Sequence, residues 1–160
     1  MPKIPGDVLS FFQRQHFVII STIDKDSRPH NSCKGIVDIT GEGMVYILDL
    51  YLKQTFANLK NNPNVSITAV EEGSFRGYSL KGRATIVKRQ DLEESLLKKW
   101  DEKLAKRISH RVIKNIRQEK TGSLNPETFL PKPMYMVLAK IEEVVDLMPV
   151  NIKKELRKYG

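Results

Sequence analysis

The 160-residue chain reads as a mainly β protein: six strands in antiparallel order, curled into a small closed or split barrel with helices at its edges. Three observations predict this. From Phe17 onward, short runs rich in Val, Ile and Tyr alternate with clusters of Gly, Pro, Asn and Asp. The first three runs follow too closely for helical crossovers, so they must pair antiparallel. No G-x-G-x-x-G follows any of them, which sets aside a doubly wound dinucleotide-binding sheet.

Asp7 to Gln15 opens the order as a short amphipathic helix, with Val8, Leu9, Phe11 and Phe12 near its apolar side. F-V-I-I-S-T-I (Phe17 to Ile23) is β-branched and apolar, a buried strand. D-K-D-S-R-P (Asp24 to Pro29) is turn chemistry, and Pro29, which cannot donate a ladder hydrogen bond, opens the next strand. That second strand runs from His30 to Ile39, and T-G-E-G (Thr40 to Gly43) closes a hairpin onto the third, Met44 to Leu50. A short helix from about Lys53 to Asn61 ends at Asn62-Pro63. Asn64 to Val70 is the fourth strand and Tyr78 to Val87 the fifth. Gly82 inside the fifth suggests a bulge, a barrel bend or something pressed against the backbone.

Asp91 is placed to cap the next helix, with Glu94 completing a capping-box-like pair. Leu92, Leu96, Trp100, Leu104, Ile108 and Val112 recur at four-residue steps, joined by Leu97, and form one apolar, core-packing face. Thr121 to Pro133 reads as an irregular loop, Met134 to Leu147 as the sixth strand, and Asn151 to Lys158 as a final short helix. No linker or repeat divides the chain, so one domain over residues 1–160 is expected, with a helical insertion at about 91–120.

Composition narrows the function classes. The chain is 40% hydrophobic and 29% charged, an ordinary globular balance that supports a real core. Cys33 is the single cysteine, which rules out an internal disulfide and a cysteine-based zinc site. The opening M-P-K-I-P-G-D lacks the apolar run of a signal peptide, and no apolar run is long enough to span a bilayer. A soluble cytoplasmic protein is the expectation. The net charge of +8 favours anionic partners. Much of it lies between Lys88 and Lys120, with eleven Lys/Arg against six Asp/Glu. A solvated helix face with pairs such as Glu94 and Lys98 accounts for it better than a nucleic-acid footprint. The strands also lack the exposed aromatics that would stack bases.

Two segments could carry chemistry. Lys53, Gln54 and Thr55 open a helix, where free backbone N–H groups, a cation and a hydroxyl suit a phosphate. Equally, Thr55 could cap the helix and Lys53 be solvated. In R-P-H-N-S-C-K-G (Arg28 to Gly35), Asn31, Cys33 and Gly35 share one strand face and Ser32 and Lys34 the other. Lys34 could meet a phosphate or a ring carbonyl, or the segment could be an edge strand kept soluble by charge. Cys33 reads as a small buried residue rather than a reactive thiol. His16, His30 and His110 lack ligand spacing and read as surface or partly packed residues, so no metal site is expected.

Taken in order, R-P-H (Arg28 to His30), G-M-V-Y-I-L (Gly43 to Leu48), K-Q-T-F-A-N-L-K-N-N-P-N-V-S (Lys53 to Ser66) and Y-S-L-K-G-R-A (Tyr78 to Ala84) resemble the pyridoxamine 5′-phosphate oxidase-like, FMN-binding split-barrel family. The resemblance covers roughly residues 7 to 90, and its most specific piece is Asn58 to Ser66. It implies a six-stranded split barrel and a homodimer with FMN at the subunit interface. Ser32, Cys33, Lys34 and Gly35 would lie along the flavin ring, bordered by Leu48 and Asp49. Lys53, Gln54 and Thr55 would hold the phosphate, with Asn58 one turn on. Many members carry Arg or Lys where Gln54 stands, so the cation here would be Lys53 or Lys34. The Trp- and Arg-rich C-terminal segment with which true pyridoxamine phosphate oxidases grip substrate has no counterpart in P-K-P-M-Y-M-V-L-A-K-I-E-E-V and E-L-R-K-Y-G. The expected activity is therefore a flavin-dependent oxidoreduction of another small molecule. A non-catalytic flavin-binding or electron-transfer protein and a basic nucleic-acid-binding barrel are the alternatives. Deazaflavin and haem are the lesser cofactor candidates, since the same barrel hosts relatives using them.

Overall fold

The computed structural model describes residues 4–118 and 126–159. Its centre is one seven-stranded antiparallel sheet: β1 (Val18–Ile23), β2 (Pro29–Lys34), β3 (Ile36–Ile39), β4 (Met44–Asp49), β5 (Asn64–Glu71), β6 (Arg76–Lys88) and β7 (Tyr135–Asp146). The strands lie in the order β2-β1-β5-β6-β7-β4-β3. The two edge strands are consecutive in sequence and joined through Gly35 alone, so the sheet curls back on itself as a split barrel. Here the strand count departs from the six expected. The second strand changes partner at Gly35: β2 pairs with β1 and β3 with β4, so one run of sequence serves two halves of the barrel.

Four helices flank the sheet: α1 (Gly6–Gln13), α2 (Gln54–Asn61), α3 (Glu94–Arg117) and α4 (Val150–Tyr159). No described helix is long and apolar enough to cross a membrane. α1 buries Val8, Phe11 and Phe12 in the apolar core of the barrel and lies alongside β3. Phe11 meets Phe12 and Tyr78 edge-on, at centroid distances of 5.6 and 5.1 Å. The first hairpin turns as its composition requires. The Asp24 carboxylate accepts hydrogen bonds from the backbone N–H groups of Asp26 and Arg28, and Ser27 takes a left-handed conformation with φ of 60°.

β7 buries both of its faces along its first five residues. Tyr135, Val137, Ala139 and Ile141 point into the barrel, while Met136 and Leu138 lie outside beneath α3. α3 covers that outer face with Leu96, Leu97 and Trp100 against Val37, Leu48 and Met136. The apolar stripe expected on this helix is real at its N-terminal half, but Val112 is exposed. Asp91 does not cap α3. β6 continues to Lys88 and a 3₁₀ turn occupies Arg89–Asp91, so the helix starts later, after Glu93, without a side-chain cap. The loop expected over Thr121 to Pro133 falls partly outside the described residues (119–125), and Pro126–Phe129 forms a 3₁₀ turn.

Gly82 marks a bulge, one of the readings its position suggested. The β6–β7 register shifts between Lys81 and Gly82, and a side chain there would stand 2.0 Å from the Lys140 carbonyl oxygen.

Candidate functional site

The break at Gly35 decides where the polar strand residues point. β2 alternates between exposed and half-buried positions. Asn31 and Cys33 are exposed, as is Gly35 just beyond the strand, while Ser32 and Lys34 face inward. Cys33 is thus an exposed thiol, not the small buried residue expected, because its strand has no layer packed on that face.

Lys34 reaches Asp49 at the end of β4, where its ammonium donates to Oδ1 at 2.7 Å. Asp49 is almost fully buried. It also accepts from the Tyr135 hydroxyl at 2.5 Å and from the Leu50 backbone N–H at 2.8 Å. Register explains the cluster, since Asp49 lies directly opposite Tyr135 across the β4–β7 pair. Burial, then the hydrogen bond to the Asp49 carboxylate, drives the Tyr135 phenol far above its ordinary range. Tyr135 therefore stays a protonated donor at any physiological pH.

Lys34, Asp49 and Leu50 border a cavity of about 660 Å³. Cys33, Lys34, Gly35, Leu48 and Asp49, all expected at a ligand ring, line it together. Ile36, Val37 and Leu50 add apolar surface, and Gln13 to Phe17 close one side. The opposite side is α3, with Trp100, Lys103, Leu104, Lys106, Arg107 and His110. The size suits a small-molecule site with an apolar lining and a few placed polar groups.

The second expected group lies apart. Lys53, Gln54, Thr55 and Asn58 do not line this cavity; Gln54 and Asn58 instead border a second cleft beside Asp24, Arg28 and His30. Lys53 is the N-cap residue of α2, with its exposed ammonium 5.3 Å from the centre of the Tyr51 ring. Thr55 is buried, and its hydroxyl lies 3.0 Å from that of Ser32. That contact ties the start of α2 to the strand that continues into the cavity wall. Asn58 is buried as well, and its amide donates to Thr22 at 2.9 Å while accepting from Gln54 at 2.7 Å. Its polar atoms therefore serve packing between α2 and β1.

Two features of the cavity have no counterpart in the sequence reading. The basic run on α3, read there as a solvated face, lines the cavity along part of its length. Lys103 donates to the Ile36 carbonyl at 2.7 Å and Lys99 to Asp38 at 2.5 Å, so two lysines strap the helix onto β3. Arg111 and Arg107 converge on buried Glu127, at 2.6 and 3.8 Å. His16 and His110, remote in sequence, border the same cavity. Only the periodicity of α3 hinted at this: Trp100, Lys103, Arg107 and His110 fall at steps of three and four, one helical face. Among the described residues no group of three or more His, Cys, Asp or Glu side chains is arranged to hold a metal ion.

Comparison with solved structures supports the fold. HupZ from Group A Streptococcus superposes with a TM-score of 0.66 over 91% of this chain and 94% of its own, at 16% identity. An F420 reductase gives 0.57 over 89% and 98%, at 15% identity. HutZ from Vibrio cholerae, described as a haem storage protein, gives 0.52 over 89% and 94%, at 19% identity. No curated protein matches the chain in sequence. The pyridoxamine 5′-phosphate oxidase profile, by contrast, matches residues 4–139, from α1 through α3 and into β7. By that match, and by the split barrel that carries it, the chain belongs to the pyridoxamine 5′-phosphate oxidase family.

Proposed function

We propose that this protein binds FMN and acts as a flavin-dependent oxidoreductase on a small molecule, working as a homodimer with the cofactor at the subunit interface. The observation that carries this reading is the cavity, bordered by Cys33, Lys34, Gly35, Leu48 and Asp49 together. Its chemistry fits a flavin ring: apolar walls for the flat faces, exposed strand at Cys33 to Gly35, and a fixed cation for a polar edge. Bound there, a flavin supplies the electron-carrying chemistry. The chain's own part is to bind and orient. Asp49 holds the Lys34 ammonium at the cavity rim, Tyr135 fixes Asp49, and α3 keeps water from one side.

The start of α2 is the proposed phosphate seat. Its first-turn backbone N–H groups lack intrahelical partners, and Thr55 and Lys53 add a hydroxyl and a cation. The Ser32–Thr55 contact sets this seat against the strand that forms the cavity wall. A visible spectrum of the purified protein, with and without added FMN, tests the cofactor. Titration of the Lys53→Ala/Thr55→Ala variant tests the phosphate seat. Loss of charge-assisted contacts is expected to weaken FMN binding by about tenfold or more, and unchanged affinity refutes that assignment.

One observation favours a second cofactor. His16 and His110 both border the cavity and could offer an imidazole nitrogen to a haem iron. A Soret band on reconstitution with haemin, with no flavin uptake, would decide for haem. Bound FMN without turnover by NAD(P)H and common electron acceptors would decide for a carrier rather than an enzyme.

A further inference from the structure

We infer that the cavity-facing side of α3 is a binding subsite for the acidic group of an organic co-substrate, a small molecule with a flat or apolar body carrying a phosphate or carboxylate. The charges around the cavity are lopsided. Arg14, Lys34, Lys103, Lys106 and Arg107 line it against one carboxylate, Asp49, whose oxygens are already engaged by Lys34, Tyr135 and Leu50. Arg107 has only a long contact to Glu127, at 3.8 Å. Among the described residues, Arg14 and Lys106 have no carboxylate partner at all. Cations gathered at a concave surface without counter-charges raise the local concentration of anions.

The geometry adds a body to the anion. Trp100 and Leu104 stand on the same helix face as Lys103 and Arg107, and Val37 and Leu48 form apolar wall beneath. Lys103 is held in place by the Ile36 carbonyl, and burial of its head lowers its pKa below the ordinary lysine value. A cation partly stripped of water binds an anion better than a fully hydrated one. The α2 start proposed for the cofactor phosphate does not line this cavity, so the two anion positions are separate. The inference rests on the flavin reading for the ligand's role as co-substrate; the anion site itself does not.

Trp100, the single tryptophan of the chain, reports on the site directly. Its fluorescence is followed while phenyl phosphate, benzoate or the uncharged control benzyl alcohol is added, with and without FMN. Phenyl phosphate or benzoate is expected to give a saturable change, and benzyl alcohol none in the same range. Whichever of the two anions binds tighter identifies the acidic group. Lys106→Glu, at an exposed position, and Lys103→Ala/Lys106→Ala are expected to weaken that anion by about tenfold or more. FMN affinity should stay at the wild-type value in both variants, and so should the melting temperature of Lys106→Glu; the double variant also loses the Lys103 hydrogen bond to the Ile36 carbonyl and should melt slightly lower. Equal binding of benzyl alcohol, no response to either anion, or wild-type affinity in Lys106→Glu overturns the inference. A parallel loss of FMN affinity also overturns it, because the cations would then belong to the cofactor phosphate. If the wild type binds the anion as described but takes up no FMN, the subsite stands and the flavin reading falls.

Discussion

Replacing Asp49 is the sharpest test of how the cavity wall is built. Its carboxylate satisfies three donors: the Lys34 ammonium at 2.7 Å, the Tyr135 hydroxyl at 2.5 Å and the Leu50 N–H at 2.8 Å. Asp49→Ala orphans all three. A stranded buried donor costs about 1–3 kcal/mol. The three are not equal. The Lys34 side chain is 16% exposed and can turn to water, and Leu50 is half-buried, whereas Tyr135 is fully enclosed. Summed with that discount, the loss should be about 3–5 kcal/mol. For a chain of this size each kcal/mol moves the melting temperature by roughly 2–4 °C, so a fall of roughly 6–20 °C is expected. Asp49→Asn keeps one oxygen for Lys34 and Leu50 and should cost less, about 1–3 kcal/mol. A double-mutant cycle with Lys34→Met separates the ion pair from the rest. Losing both partners should cost about 1–2 kcal/mol less than the two single losses added together. The reasoning fails if Asp49→Ala melts within about 2 °C of the wild type, or if the cycle is additive.

Tyr135→Phe should lose about 1–2 kcal/mol at neutral pH, the worth of a hydrogen bond to a carboxylate. The folded state raises the phenol's pKa above the unfolded value of about 10. The hydroxyl's contribution is therefore complete below pH about 10 and is lost as pH rises beyond it. Urea titrations from neutral to alkaline pH should show the two proteins converging, and a gap that stays constant or widens contradicts the assignment. Gly82→Ala should destabilise by about 3 kcal/mol or more. The new methyl group would meet the Lys140 carbonyl, a backbone atom that cannot swing aside. A melting temperature equal to wild type would show that the bulge relaxes freely.

Much of the barrel could be read along the chain. Val, Ile and Tyr runs bounded by Asp-Lys-Asp-Ser, Thr-Gly-Glu-Gly and Asn-Asn-Pro marked the strands closely, and the mid-strand Gly82 marked an irregularity that the structure resolves as a bulge. Alternation along Asn31 to Gly35 divided those residues between two faces, and the structure shows which of the two is exposed. What escaped depended on partners. Nothing local says that His30 to Ile39 leaves β1 for β4 at Gly35, because either half would look like the same strand in isolation. Cysteines are usually buried, but Cys33 is exposed because no layer covers its face of the strand. Asp91 had capping chemistry, yet β6 extended far enough to displace the start of α3.

The candidate site divides along the same line. Strand period and helix termini, which are properties of neighbouring residues, marked Arg28 to Gly35 and the start of α2 as candidate segments, while Leu48 and Asp49 entered only through the family resemblance. The grouping of Lys34 with Asp49 and Tyr135, and of His16 with His110 and the α3 cations, spans separations too long for any local pattern to encode. Those meetings are fixed by strand register and by the packing of α3 on the outer face of the barrel. Both are settled only when the whole chain buries its apolar surface at once.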